Sequence, residues 1–138
     1  MKKSIVKVLA LTLVAVMMCL ALVSCGGPAK DPADAKAALD ENGYTATKID
    51  NDGLGALALA ALSVAGIKDV ECVVSGTNSD GEHVTIIYFE DKDAANAEWE
   101  DVQAYAEDEK DDEETDWVVK KSGNMIYFGT KAGVKAAK

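Results

Sequence analysis

Hydrophobic and polar positions along the chain predict five short β-strands. In segments of five to seven residues, apolar side chains recur with a period of two, which is typical of strands with buried faces. These segments are residues 44–49, 70–75, 83–89, 117–121 and 124–128. The turn residues between 75 and 83, and again between 121 and 124, predict that the last four strands form two hairpins.

Four helices are predicted around these strands. The first begins with Asp31 as N-cap and Pro32 at the first helical position, and it ends at Asn42-Gly43. The second, over residues 54–67, is almost entirely Leu and Ala. We predict that this second helix is buried nearly all round; insertion into a membrane is the alternative, but the segment is too short to span one.

The other two helices follow the strands of the hairpins. Asp91 or Asp93 caps a helix that runs to about Asp108, with its apolar residues along one stripe. That stripe consists of Ala95, Trp99, Val102 and Ala106. Thr130 caps a short final helix.

The complete order of predicted elements is α-β-α-β-β-α-β-β-α. Its middle, over residues 44–121, is β-α-β-β-α-β, which resembles the split pattern of ferredoxin-like α+β domains. Residues 86–91, running into Ala94-Ala95, are similar to the third strand and second helix of that superfold. We therefore predict a ferredoxin-like core with an extra N-terminal helix, a C-terminal hairpin strand and a short C-terminal helix.

The first 24 residues have the pattern of a secretory signal. Lys2, Lys3 and Lys7 precede an apolar run over residues 8–23, which is short for a transmembrane helix of about 20 residues. The run ends in Leu22-Val23-Ser24-Cys25, which resembles the lipobox of bacterial lipoproteins. An uncleaved apolar anchor is the alternative.

The lipobox resemblance implies that the chain is cut before Cys25 and that the thiol of Cys25 carries diacylglycerol. The new amine is often acylated in that family, for example with palmitate. We therefore expect residues 1–24 to be a signal peptide, residues 25–31 to be the lipidated cysteine and a tether, and residues 32–138 to be one α+β domain. Two or more acyl chains anchor a protein stably. The expected location is the extracytoplasmic face of the cell membrane.

The C-terminal residues strengthen a general likeness. The chain is similar to small uncharacterised bacterial lipoproteins that end in a hairpin and a Gly-Thr-Lys step, here Gly129-Thr130-Lys131. This likeness implies no activity.

Removal of the signal leaves a strongly acidic protein. The expected mature chain has 11 lysines against 24 acids, a formal net charge of −13, and it contains no arginine. This charge disfavours binding to nucleic acid and to anionic lipid headgroups. Without a guanidinium group, bidentate binding of phosphate or carboxylate is unavailable.

The cysteines allow no intramolecular disulfide. Cys19 leaves with the signal and Cys25 is lipidated, so Cys72 has no partner. Alternation places Cys72 on the same strand face as Val70 and Val74. We predict a buried structural thiol rather than a reactive one.

A nucleic-acid site and a metal site are both disfavoured. The strand at residues 83–89 resembles that of RNA-recognition motifs, but its stacking positions hold Val84 and Ile86 and its basic position holds Glu82. The acidic run at residues 107–116 has eight carboxylates in ten positions, yet it lacks the central glycine of a calcium loop. We predict a solvated segment, with weak divalent binding as the alternative.

A second loop is also a poor candidate for a calcium site. In Asp50-Asn51-Asp52-Gly53, calcium-loop spacing places Lys48 at the first ligand position. One histidine and one buried cysteine also lack the spacing of a zinc site. We expect no metal and no cofactor.

Catalytic signatures are missing as well. His83 is the single histidine. Ser75 or Ser79 and an aspartate could be combined with it into a hydrolytic triad, but neither serine lies in a nucleophile elbow, so the sequence does not support one. Gly53-Leu54-Gly55 lacks the rest of a phosphate-binding fingerprint. We therefore expect no catalytic residue.

The sheet is predicted to be apolar on both sides. Val84, Ile86 and Tyr88 share one strand face, while Ile87 and Phe89 share the other. Because the terminal helices have few large apolar residues, we expect the second face to bind a partner protein or a second copy. The sequence thus predicts a lipid-anchored, non-enzymatic binding or assembly module. A small-molecule-binding accessory subunit is the alternative.

Overall fold

The computed structural model describes residues 27–110 and 116–138. Within these residues the fold is α+β, with five strands and four helices in the predicted order. In chain order the elements are α1 (Pro32–Glu41), β1 (Thr45–Asp50), α2 (Gly53–Val64), β2 (Val70–Thr77), β3 (His83–Phe89), α3 (Lys92–Glu109), β4 (Trp117–Ser122), β5 (Met125–Thr130) and α4 (Lys131–Ala136).

Three helices begin at the polar caps predicted for them. The side chain of Asp31 accepts a hydrogen bond from the backbone N–H of Ala33 at 2.8 Å, at the start of α1. Asp91 and Thr130 act in the same way at the starts of α3 and α4. Each cap satisfies a backbone donor that has no partner within its helix, so these helix starts could be read from sequence.

The five strands form one sheet in the order β1-β2-β3-β5-β4, and every pair of neighbours is antiparallel. The ferredoxin-like strand order is not confirmed. In the split pattern a third strand separates the two strands that a helix joins. Here α2 joins β1 and β2, which are direct neighbours in the sheet. β2 starts beside the end of β1, and Asp50 lies opposite Cys72.

One face of the sheet, here called the terminal face, is covered by the two ends of the described chain. Leu39 of α1 and Val134 of α4 pack on it, and so does the segment Gly27–Ala29. The backbone N–H of Ala29 donates to the carbonyl of Ala137 at 3.0 Å. The hydroxyl of Tyr88 donates to the carbonyl of Ala29 at 2.7 Å. From Gly27 onward, the segment expected to be an extended tether is therefore packed against the domain.

The terminal helices cover this second face, which we expected to bind a partner protein or a second copy because those helices have few large apolar residues. Its strand side chains are almost completely buried: Cys72, Val74, Val84, Ile86, Tyr88, Met125 and Tyr127. Small residues make this possible, because they let the covering helices approach closely. A Cβ on Gly133 of α4 would overlap the carbonyl oxygen of His83, and one on Gly76 would lie 3.0 Å from the Leu39 side chain.

The other face, here called the central face, is covered by α3 and α2. Ala95, Val102 and Ala106 of α3 are fully buried, as their predicted stripe required, while Trp99 is half-buried. Ile67, after the end of α2, is also fully buried. The core therefore consists of two apolar layers, one on each side of the sheet.

Helix α2 is not the fully buried helix that its composition predicts. Leu59 is only 7% exposed, but Leu57 is 71% and Val64 90% exposed. The reason is geometric: a helix lying on a sheet buries one stripe, whereas α2 is apolar on all sides. Among the described residues, no helix has the length and apolar composition needed to cross a bilayer.

Candidate binding surface on helix α2

The outer side of α2 carries an apolar stripe that water contacts. Leu57, Ala61 and Val64 are spaced i, i+4 and i+7, which places them along one line of the helix, and all three are exposed. Leu59 and Leu62, spaced i and i+3, point the other way and pack on the sheet. We call Leu57, Ala61 and Val64 the α2 stripe.

No charged side chain interrupts this region of the chain. Residues 53–67 contain only apolar residues, glycine and one serine. Surface helices normally place charged or polar residues on the side that faces water. The α2 stripe therefore has the composition of a contact surface rather than of a solvated helix.

A cleft of about 290 Å³ lies between α2, the sheet and α3. Its apolar lining includes Leu59 and Leu62 of α2 and Ile87 of β3. Its polar residues are Ser75, Thr85, Tyr105 and Glu109. Polar and apolar surface line the cleft in similar amounts, so a ligand there would need hydrogen-bonding groups as well as an apolar part.

Tyr105 lines this cleft and packs its ring against an aromatic residue of β5. Its ring meets Phe128 edge-on, with 6.0 Å between the ring centroids. Burial raises the pKa of Tyr105, and the nearby charge of Glu109 raises it further. The phenol consequently keeps its proton at neutral pH and can donate a hydrogen bond.

A second cleft, of about 370 Å³, lies along the opposite flank of α2. Ala56, Ala60 and Ser63 line this cleft only, Ala58 and Leu62 line the first cleft only, and Leu59 lines both. Asp69 and Glu90 give this second cleft an acidic rim. Helix α2 therefore stands as an apolar ridge between two clefts, with acids near both.

The residues singled out by sequence do not meet at this surface. Cys25 lies outside the described residues, so its lipidation stays a prediction. Cys72 is buried on the terminal face beside Val74, as predicted. The prediction that Val70 shares this face is wrong, because a register irregularity between Val70 and Cys72 breaks the alternation and Val70 packs on the central face. Burial raises the pKa of its thiol to about 11, assisted by a hydrogen bond to Asp50, so the thiol is protonated at neutral pH.

The remaining candidate residues, Asp50 and His83, interact with neighbouring side chains of the fold. Asp50 accepts hydrogen bonds from Lys48 Nζ at 2.8 and 3.0 Å. The imidazole of His83 packs on Trp117, with ring centroids 5.1 Å apart. No hydrogen bond within residues 27–110 and 116–138 joins that imidazole to Ser75 or Ser79.

The described part of the chain also contains no group of three or more His, Cys, Asp or Glu side chains placed to hold one metal ion. Of the acidic run, residues 111–115 lie outside the described residues, so its solvated state remains a prediction.

Sequence reasoning missed the α2 surface, although a signal for it was present. Apolar residues fall on every side of the helix, and one sheet face can bury only one side. The helix must then be enclosed by other elements or leave apolar side chains exposed. The terminal helices α1 and α4 lie on the opposite face of the sheet, so nothing in the described structure encloses α2.

Known protein families, curated proteins and solved structures include no match to this chain. The geometry and chemistry of the α2 surface are therefore the basis on which a function is assigned.

Proposed function

We propose that this protein is a lipid-anchored, non-enzymatic binding module on the extracytoplasmic face of the cell membrane. It binds a partner protein through the α2 stripe and the two flanking clefts. The observation that carries the proposal is the exposure of Leu57 (71%) and Val64 (90%) on a helix without charged residues. The anchor is supported by the lipobox-like residues that end at Cys25.

An amphipathic helix or a ridge of a partner fits such a surface. Protein interfaces commonly place apolar side chains at the centre and polar groups at the rim. The α2 stripe supplies the centre, and Glu109, Asp69 and Glu90 supply acidic groups beside it.

Charge complementarity defines the partner further. Residues 31–116 contain all 24 acids of the chain and five lysines. A partner with an apolar patch surrounded by lysine or arginine is attracted to this part of the domain, and a partner with an acidic rim is repelled. We therefore propose a basic partner.

A small-molecule ligand is the second candidate, and the cleft beside Tyr105 supports it. Its hydroxyls and the carboxylate of Glu109 suit an apolar molecule that ends in a hydrogen-bond donor or a cation. However, its volume of about 290 Å³ is at the lower end for ligand pockets, and the exposed α2 stripe lies outside it. The partner protein accounts for both features.

The proposal is tested by photo-crosslinking in the native membrane with the full chain. A photoreactive amino acid replaces Val64 in one variant and Asp80, on an exposed turn, in the control. We expect one discrete adduct with another protein from position 64 and none from position 80. Once purified, that protein should bind the wild type saturably, and Leu57→Lys should weaken its binding at least about tenfold.

Other outcomes contradict the proposal in distinguishable ways. An adduct of two copies of this chain would identify self-association as the role of α2. Adducts with lipid alone would place α2 on the bilayer. Equal crosslinking from both positions, or binding unaffected by Leu57→Lys, would mean that the α2 stripe is not a specific docking site.

A further inference from the structure

The charges of this protein are distributed very unevenly along the chain. Every one of the 24 acids lies between residues 31 and 116, whereas residues 117–138 contain five lysines and no acid. The basic region forms β4, β5 and α4. The domain is strongly acidic overall, yet residues 117–138 form a basic region. The position of this region in the fold determines which charged surface it can bind.

Helix α4 and the residue after its C-cap place three of these lysines on one line. Lys131, Lys135 and Lys138 are spaced i, i+4 and i+7, and all three are exposed. Val134 and Ala137 of the same segment are buried on the terminal face of the sheet. With about 3.6 residues per turn, the three lysines lie together on a solvent-exposed flank of α4 beside these buried residues.

Lys120 of β4 joins the same side of the molecule. It is exposed and stands opposite Tyr127 of β5 in the strand register. Residues directly opposite each other in an antiparallel pair project from the same face. Tyr127 is buried on the terminal face, so Lys120 also projects from that face, at the uncovered edge strand.

These four lysines are little neutralised. The carboxylate of Asp116 lies 4.0 Å from Lys131 Nζ, and both side chains are well exposed. Within the described residues, Lys120, Lys135 and Lys138 form no ion pair with an acid. The acids of α1 lie on the same face of the sheet, next to the lysines. Helix α1 packs over β1 and β2, α4 packs over β3, β4 and β5, and the two helices touch, with the side-chain amide of Asn42 donating to the carbonyl of Ala136 at 3.1 Å. The four lysines therefore form the basic half of a face whose other half carries the acids of α1.

The chain enters the domain beside these lysines. A Cβ on Gly27 would lie 2.5 Å from the ring of Tyr127, the residue opposite Lys120. Ala29 is hydrogen-bonded to Ala137, the neighbour of Lys138. Only Gly26 separates Cys25 from Gly27, and two residues span at most about 7 Å. A lipid on Cys25 therefore holds this side of the domain close to the bilayer.

We propose that Lys120, Lys131, Lys135 and Lys138 form a docking surface for anionic phospholipid headgroups. The proposal rests on the lipid anchor of the proposed function. Salt screens charges over about 8 Å, so each lysine acts mainly on the headgroups next to it, and acids farther than that from the headgroups are screened. The net charge of −13 consequently does not prevent contact with an anionic membrane. Docked in this way, the domain presents α2, on the opposite face of the sheet, to a partner.

The test uses the lipidated full chain in vesicles of phosphatidylcholine, with or without phosphatidylglycerol. Ala132→Cys, on the exposed side of α4, carries a nitroxide label, and Ala97→Cys, exposed on α3 at the opposite face of the sheet, is the control position. Native Cys72 is buried and is not labelled under these conditions. The readout is relaxation of the label by nickel chelated to lipid headgroups. We expect strong relaxation at position 132 only, and only with phosphatidylglycerol.

Charge variants then show whether the four lysines cause the docking. Replacing Lys120, Lys131, Lys135 and Lys138 by Gln should weaken docking, since each lysine near an anionic surface contributes about fivefold. We expect the relaxation at position 132 to fall at least about fivefold. The matched variant replaces Lys68, Lys92, Lys110 and Lys121 by Gln, which changes the net charge equally at positions off the terminal face, and it should retain the relaxation.

Failure of the anchor and failure of the docking surface give different results. If the protein does not partition into either vesicle, or partitions equally after Cys25→Ala, the proposed anchor is wrong. If the wild type is anchored but position 132 relaxes no more than position 97, the docking surface is wrong and the anchor stands. Equal loss in both four-lysine variants would attribute the effect to net charge and would also overturn the docking surface.

Discussion

The terminal and central faces of the sheet are covered by helices of contrasting composition. On the terminal face, α1 and α4 contribute few large apolar side chains, yet the strands beneath them are buried. On the central face, α2 is rich in leucine, yet Leu57 and Val64 are exposed and clefts lie along both flanks. The helix with more apolar residues covers the sheet less completely.

This contrast shows that close approach decides how well a helix covers a sheet. Gly133 and Gly76 remove the side chains that would keep α4 and Leu39 away from the strands. Dispersion and hydrophobic stabilisation both depend on contact, so a small side chain that fits contributes more than a large one that faces water. The surplus apolar surface of α2 remains available for binding.

The largest expected effect compares two neighbouring residues on opposite faces. Ile86 and Ile87 are both fully buried, but Ile87 borders the cleft beside Tyr105. Ile86→Ala leaves a sealed cavity and should reduce the free energy of unfolding by about 3–5 kcal/mol. Ile87→Ala extends an open cleft that water can enter, so the loss should be smaller, about 2–3 kcal/mol. Urea unfolding measures both, and equal losses would show that the two faces are packed alike.

A second comparison lies within α2 itself. Leu59→Ala removes a side chain packed on the sheet and should cost about 2–3 kcal/mol of unfolding free energy. Leu57→Ala, two residues earlier, removes an exposed side chain and should change that free energy by no more than about 0.5 kcal/mol. Thermal and urea unfolding distinguish the two variants. A large loss for Leu57→Ala would mean that the α2 stripe is covered in the isolated protein.

The smallest effect concerns pH and Cys72 on the terminal face. Its pKa is raised from 9.0 to about 11, chiefly by burial. Below pH 9 the thiol is protonated in both the folded and the unfolded state, so it adds no pH dependence to the free energy of unfolding. Between pH 9 and 11 the unfolded state releases the proton more readily, and stability should fall by about 1–3 kcal/mol as pH rises.

The matched variant for this pH effect is Cys72→Ala. The unfolding free energy of each protein is measured at pH 8 and at pH 11. The loss of stability of Cys72→Ala is then subtracted from the loss of the wild type, which leaves the contribution of the thiol. If the two proteins lose the same stability, water reaches the Cys72 thiol and the terminal face is less completely sealed than its packing indicates.

Local signals in the sequence predicted the elements well. Asp31, Asp91 and Thr130 cap helices where expected, because a cap depends on hydrogen bonds within a few residues. The apolar stripe of α3 and the burial of Cys72 also follow from periodicity alone. Strand partners are different, because pairing depends on where the chain turns in space. The antiparallel contact of β1 with β2 was therefore not predicted.

The candidate site was beyond prediction for a related reason. An uncharged run such as residues 53–67 has the same sequence whether it is enclosed or exposed, and its surroundings are contributed by distant residues. The docking lysines illustrate the same limit. Their clustering after residue 116 is visible in the sequence, but their position beside Gly27 arises from the packing of Tyr127 and the pairing of β4 with β5.

The sequence by itself determined the local elements, the unequal distribution of charge and the buried thiol, and it predicts the lipid anchor at Cys25. Each of these depends on neighbouring residues or on composition. Only the tertiary structure decided the strand order, the sealing of the terminal face and the exposure of α2. These features depend on which distant surfaces meet and how closely, and close contact is set by small residues such as Gly76 and Gly133 acting across the fold.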